Sequence, residues 1–199
     1  MTTTNLKDSA ALLGSRICHD LISPLGAISN GVELLSMTGA ANSPEMKLIE
    51  EAVASANARV KFFRVALGAA SSGQMMARGE LLKLLDGCYG GGRLVVRWKP
   101  SSDPTRVEAK TALLALMCLE TALPQGGEIV IDEDRGNWQM QAFGPAVRYD
   151  GSTWNVLTRG ADGELPSSQV QFLLLHDALQ HQELRPLVGH SDSAVSLRY

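Results

Sequence analysis

Four side chains within two helical turns have the types and spacing to do chemistry together: Arg16, His19, Asp20 and Ser23, in "RICHDLISPLGAIS" (16–29). Neutral imidazole is a nucleophile, and with an unperturbed pKa of about 6.5 it is mostly neutral near neutral pH. The adjacent carboxylate of Asp20 can hydrogen-bond one ring nitrogen, fix the tautomer and leave the other nitrogen to attack. Arg16, three residues earlier, can counter negative charge on a group attached to the ring. Ser23, one turn after His19, is small and leaves room beside the ring. Pro24 removes a backbone hydrogen bond and kinks the helix that carries them all. These types suit nucleophilic capture of an anionic group by His19.

The elements that must position these residues read as two helices. Over residues 5–37 apolar side chains recur every three or four positions, from Leu6 through Ile17, Leu21 and Leu25 to Leu35. "TGAANSP" (38–44) breaks the pattern, with Gly39 suited to a helix end, Ser43 to an N-cap and Pro44 to a first helical position. A second helix is predicted from about 44 to 71, with a heptad-like seam through Met46, Ile49, Val53, Ala56, Val60, Phe63, Leu67 and Ala70. The pair forms an antiparallel hairpin. A hairpin alone buries too little apolar surface to be stable, so it must pack on the rest of the chain or on a second copy; the heptad-like seam with extra apolar positions such as Leu12, Ile22 and Leu34 favours the second copy, a four-helix bundle in a homodimer.

At roughly 100° per residue, His19 lies about 160° from both Ile17 and Leu21, so it points away from the seam. Its neighbours one and two turns away are Ser15, Arg16, Ile22, Ser23 and Gly26. That mostly small face leaves room for another protein to reach the ring. With the turn centred near 41, the facing part of the second helix is near 63. Arg59 and Arg64 are then expected to make the surface beside His19 cationic.

The rest of the chain reads as an α+β layer. Residues 78–87 and 103–123 are predicted helices, the second with Asp103 or Thr105 as its cap. Residues 93–98, 128–132 and 137–143 read as strands, the last two paired around "EDRG". Residues 167–180 read as a helix capped by Ser167 or Ser168, and the tail from Leu184 as two short strands about a turn. Helices on a mainly antiparallel sheet make an α+β sandwich. The predicted division is residues 1–74 for the hairpin and 75–199 for the sandwich.

Bulk properties exclude several classes. The chain has 199 residues, 45% hydrophobic and 20% charged, with net charge −3, which does not suit a binder of nucleic acid or of an acidic membrane. No apolar run approaches the roughly 20 residues that span a bilayer, and the N-terminus lacks a signal-peptide layout. Cys18, Cys88 and Cys118 are too scattered for a disulfide framework, so a reduced, cytoplasmic protein is expected. His176 and His181 diverge by about 140° on a helix and do not suit a shared metal site. His190 is expected in a solvated turn. "YGGGR" (89–93) lacks the lysine–hydroxyl pair of a phosphate loop and reads as a turn. Trp98, Trp138 and Trp154 are expected to pack in the core or at its edge.

"HDLISPLGAI" resembles the H-box of two-component histidine kinases, with His19, Asp20, Pro24 and Leu25 at matching positions and Ser23 in place of the usual Thr or Asn. Residues 78–199 resemble, more weakly, the ATP-binding domain that follows that hairpin, a Bergerat or GHKL-like sandwich. The departures are chemical. The asparagines of that domain's helix would fall near Met117 and Thr121, and neither side chain replaces a carboxamide that helps hold Mg²⁺. Its Asp-x-Gly-x-Gly loop would fall on "AFGPAVRY" (142–149), where Gly144 matches but Ala142 replaces the adenine-reading aspartate and Ala146 replaces the second glycine. A nucleotide site missing several partners should bind ATP poorly or not at all, since one lost buried partner alone costs ~1–3 kcal/mol.

An intact H-box beside a degenerate ATP site resembles the ChpT-type histidine phosphotransferases over nearly the whole chain. The resemblance implies a dimeric, cytoplasmic relay enzyme in a multistep phosphorelay, typically one controlling the cell cycle. A phosphoryl group would pass from an aspartate on the receiver domain of a hybrid histidine kinase to His19, then to an aspartate on a response regulator. It implies no ATP and no resident metal, with Mg²⁺ supplied by each receiver domain. Two alternatives remain at this level: an autokinase with an unorthodox ATP site, and a non-catalytic dimeric module that binds a regulator.

Overall fold

The computed structural model describes residues 21–22, 25–26, 28–35, 44–71, 73–160 and 165–199. These group into two units: the chain up to Ala70 with Lys83–Cys88, and Ser71–Leu82 with Tyr89–Tyr199.

In the first unit, α1 is helical at 21–22, 25–26 and 28–35, and α2 runs Pro44–Ala66. The turn expected at 38–44 lies outside the described residues except for Pro44, which begins α2. α2 stops at Ala66 rather than near 71. Leu67 N–H still donates to Phe63 O at 2.8 Å, but Gly68 follows, and glycine interrupts a helix at a cost of about 1 kcal/mol relative to alanine. The seam is only part of the buried face. Val60 is buried, yet Phe62, Val65 and Ala66 are buried beside it, while Ile49 is exposed. Leu21, Ile28, Leu34, Leu35 and Leu48 are exposed as well. Gly87 of α3 (Arg78–Tyr89) lets that helix approach α2 closely: a Cβ there would stand 3.2 Å from the Ala58 Cβ.

The second unit is built on a five-stranded mixed sheet in the order β1-β2-β3-β5-β4. Its strands are β1 (Leu94–Trp98), β2 (Gly127–Asp134), β3 (Asn137–Phe143), β4 (Leu187–His190) and β5 (Ala194–Arg198). β1 and β2 run parallel, and the other three pairs are antiparallel. The parallel pair needs a crossover, which α4 (Arg106–Glu120) supplies. Period-two patterning puts Ile129, Ile131, Trp138, Met140, Ala142, Val195 and Leu197 on the buried face. α4 contacts β2 and β3 and also α6 (Val170–His181), so it is covered on two sides. That explains a helix buried at nine of its residues, from Ala109 to Leu119, where a surface helix would show one apolar stripe. Each buried leucine there contributes roughly 1.5–3 kcal/mol of transfer free energy.

Caps fix the helix ends. Thr105 is the N-cap of α4: its hydroxyl accepts the Glu108 N–H at 3.2 Å, and the Glu108 carboxylate accepts the Thr105 N–H at 2.7 Å. Asp103, the other candidate, instead accepts the Arg78 N–H at 2.8 Å, capping α3 from a distant point in the sequence. α4 ends at Glu120, short of 123, where Ala122 and Leu123 turn on hydrogen bonds of i to i−3 type. Neither Ser167 nor Ser168 caps α6. Ser167–Gln169 form a 3₁₀ turn, and Gln169 precedes α6 without a side-chain cap. His190 ends β4 and pairs with Val195 rather than lying in a turn, and its ring stacks on Tyr149 at 3.9 Å. Trp98, Trp138 and Trp154 are all buried, as expected. No helix among the described residues is long and apolar enough to cross a membrane.

Candidate functional site

The expected nucleophile His19 and its closest neighbours, Ser15, Arg16, Asp20, Ser23 and Pro24, lie outside the described residues. Of the small face expected around His19, Ile22 and Gly26 are described; both are helical and half-buried. A Cβ at Gly26 would meet nothing within 4 Å, so packing does not demand glycine there.

On α2, Arg59 and Arg64 are held differently. The Arg59 guanidinium lies 5.4 Å from the centroid of Phe62 and 5.3 Å from that of Phe63, within cation–π range of both rings. The rings stand edge to face, with centroids 6.1 Å apart. The i, i+3 and i+4 spacing of Arg59, Phe62 and Phe63 brings the three together. Arg64 is exposed. Five residues separate the two arginines, which puts them on faces about 140° apart.

The positions matched to the nucleotide site lie in the second unit. Met117 is half-buried on α4. Thr121 ends α4 and spends its hydroxyl locally, donating to Cys118 O at 2.7 Å. Ala142 is fully buried in β3, paired with Ile129 and Val195. Gly144 is required by packing: a Cβ there would come 2.8 Å from both Gly126 O and Leu123 Cδ2. The loop continues through half-buried Ala146 and is pinned to the end of α4 by Arg148 N–H donating to Ala122 O at 2.9 Å. That backbone donor thus serves the fold. Among these five side chains there is no carboxylate or carboxamide, only one hydroxyl, one thioether and two methyls beside a glycine.

One element next to this loop is absent from the sequence-based expectations. α5 (Gly151–Arg159) follows directly, and Asp150 caps it. The Asp150 carboxylate accepts Ser152 N–H at 3.1 Å, Ser152 Oγ–H at 2.7 Å and Thr153 Oγ1–H at 2.6 Å. Those donors hold its pKa below the ordinary aspartate value, the Thr153 and Ser152 hydroxyls contributing most. α5 buries Thr153, Trp154, Val156 and Leu157 and packs on α6. The signal was present: an Asp N-cap followed by apolar side chains at 154, 156 and 157.

The remaining titratable groups serve packing. His176 Nδ1–H donates to Leu157 O at 2.9 Å, near the end of α5, and His181 Nδ1–H to Asp177 O at 2.7 Å. The two rings therefore serve separate backbone carbonyls. Burial pushes the Cys118 thiol well up, and burial followed by the Glu108 charge does the same to the Tyr199 phenol. Lys110 is lowered by burial and by neighbouring Arg106.

Comparison with known proteins agrees with this arrangement. A family model described as "Histidine phosphotransferase C-terminal domain" matches residues 78–192, more than half of the chain. The protein is 32% identical over 194 residues to "Protein phosphotransferase ChpT" of Brucella abortus (strain 2308), covering 95% of this chain and 83% of that protein. It also superimposes on a solved structure described as "1.7 Angstrom Structure of a Bacterial Phosphotransferase", with a TM-score of 0.69 and 24% identity over 100% of this chain and 97% of that one. That likeness supports the α+β fold. The chain belongs to the ChpT-type family of histidine phosphotransferases.

Proposed function

We propose that the protein relays a phosphoryl group through His19 between two aspartates on partner proteins, without using ATP. The observation that carries this reading is the H-box at His19–Leu25 in a family member whose positions 117, 121, 142 and 146 offer neither an amide nor a carboxylate to a nucleotide or its metal.

The chemistry is an in-line displacement. The unprotonated ring nitrogen of neutral His19 attacks the phosphorus of an aspartyl phosphate on the receiver domain of a hybrid histidine kinase. A P–N bond forms as the P–O bond to the aspartate breaks, and the carboxylate leaves with the bonding pair. The other ring nitrogen keeps its proton, and Asp20 stabilises the positive charge that develops on the ring. Arg16 offsets phosphoryl charge, with Arg59 and Arg64 as further cations. Ser23 orders the approach, and Ser15, Ile22 and Gly26 leave room for it. In the second half-reaction a response-regulator aspartate attacks the same phosphorus and His19 leaves. Both bonds are high in energy, so transfer runs either way. Each receiver brings its own Mg²⁺, and this chain holds no metal or ATP.

The architecture proposed for this task is an antiparallel hairpin in residues 1–74 that pairs with a second copy as a four-helix bundle. Residues 75–199 then form a degenerate GHKL-like sandwich. The exposed Leu21, Ile28, Leu34, Leu35, Leu48 and Ile49 support a covered hairpin face. The proposed setting is a cytoplasmic two-component phosphorelay of the cell-cycle type, with no nucleic-acid or membrane partner.

The test is transfer of label from a phosphorylated receiver domain. The wild type should gain an acid-labile label in the absence of ATP, and His19→Ala should gain none. Undiminished label on His19→Ala would end the reading. Label gained from ATP alone would favour the autokinase instead.

A further inference from the structure

We propose that the free edge of β1 is a docking site for an extended acidic segment of a partner protein, taken up as a further strand of the sheet. This edge belongs to the second unit, and its use is independent of the phosphorelay reading.

β1 stands at one end of the strand order and pairs with β2 on one side. Gly127 N–H donates to Arg93 O at 2.9 Å, and Lys99 N–H donates to Ile131 O at 2.9 Å. In a parallel pair that register turns the backbone groups of Val95 and Arg97 toward β2 and those of Leu94, Val96 and Trp98 toward the open side. The N–H and C=O groups on the open side have no hydrogen-bond partner among the described residues. The strand is rich in β-branched and aromatic side chains, and Val95 is exposed. Such an edge is a template for another strand. β4, at the opposite end of the sheet, is shorter and follows Pro186, a residue type that blunts an edge.

Charge selects the occupant. Alternation places Arg93, Val95, Arg97 and Lys99 on the outer face and Leu94, Val96 and Trp98 on the inner one. Residues 93–99 contain no Asp or Glu. β2 answers these cations from its own side: Arg97 is paired with Glu128, and Lys99 Nζ lies 3.8 Å from Asp132. Arg93 is exposed and has no ion pair among the described residues. A second copy is the wrong partner. In an antiparallel pairing centred on Val96, Arg93 of one copy would face Lys99 of the other, and like charges directly opposite destabilise a sheet. A strand patterned like β2, acidic on the outer face and β-branched on the inner, meets the cations with opposite charge and meets Leu94 and Val96 with apolar surface. Main-chain hydrogen bonds supply the affinity, and the row of cations supplies the choice of partner.

The test uses the intact chain and a labelled, end-blocked peptide of about eight alternating Glu and Val residues. Anisotropy measures binding, and amide hydrogen exchange locates it. The acidic peptide should bind at least about tenfold more tightly than the same peptide with Lys in place of Glu, and it should slow exchange at Leu94, Val96 and Trp98. Arg93→Glu should weaken binding about fivefold at about 0.05 M salt and less than about twofold at about 0.5 M. Arg198→Glu, on the outer face of β5, should leave it unchanged. The acidic peptide N-methylated along its backbone keeps its charge and should not bind. Equal binding of the acidic and basic peptides would overturn the docking edge. So would binding of the N-methylated peptide, or protection that falls on β4 and not on β1. Absence of binding at about 1 mM peptide would overturn it too, leaving Arg93, Arg97 and Lys99 as guards against self-pairing. None of these outcomes bears on His19, which the receiver assay tests separately.

Discussion

Ala142 and Val195 stand opposite each other on β3 and β5, both fully buried. Under the function proposed above, position 142 stands where an ATP-binding domain would carry its adenine-reading aspartate, and restoring that one residue should not restore a function. Ala142→Asp would bury a carboxylate among Ile129, Val195 and the α4 side of the sheet. It should lose at least about 3 kcal/mol of stability. ATP titration calorimetry on that variant should stay silent. A variant as stable as wild type that gains ATP binding would contradict this.

The capping box at the start of α4 is a second point of failure, because α4 is the crossover that holds β1 and β2 parallel. Thr105→Ala removes the hydroxyl that accepts the Glu108 N–H and should cost about 1 kcal/mol in chemical denaturation. Thr105→Ser should recover most of it.

Asp150 sets a pH dependence with a definite sign. Its carboxyl is held below the ordinary value by donors from Thr153 and Ser152. The folded state therefore binds that proton less readily than the unfolded state. The resulting stability is complete above the unfolded aspartate pKa and is lost as pH falls through the lower folded value. Asp150→Asn should be less stable than wild type near pH 7, with the gap narrowing toward about pH 2–3. Denaturant midpoints at the two pH values measure it, and a gap that widens in acid would refute the assignment.

Tyr199 is the opposite case. Its buried hydroxyl has no hydrogen-bond partner among the described residues, and its ring stacks on Trp138. Tyr199→Phe keeps the stack and removes the orphan, so it should leave stability unchanged or raise it by up to about 1 kcal/mol. A loss above that size would mean that the hydroxyl has a partner.

Much of the second unit was legible because local signals agreed there. The alternation in 128–132 and 137–143 met a turn at Arg135–Gly136, and both residues have positive φ, as a tight hairpin turn requires. α4 was legible as a helix, but its near-complete burial was not, since burial depends on α6 arriving from sixty residues away. α5 was not read from the sequence, although Asp150 followed by apolar side chains at 154, 156 and 157 marks a cap and a short helix. His190 illustrates a partial reading: it is exposed, as a polar residue by a turn suggests, but it ends β4 instead of lying in the turn, and its ring stacks on Tyr149. On α2 the heptad-like count found Val60 but not Phe62, Val65 and Ala66. Tertiary packing decides burial there, as the close approach of Gly87 to Ala58 shows for one point on α2, and no period reveals it. The reading of His19 rests on a different signal, residue types at the spacing that the proposed chemistry needs, and His19 lies outside the described residues.

The central claim is that one imidazole carries the phosphoryl group. Mass spectrometry of the wild-type protein after brief exposure to a phosphorylated receiver domain tests it most directly. The account predicts a single phosphoryl group on His19, stable in base and lost in acid. The same modification on any other residue, with His19 unmodified, would contradict it.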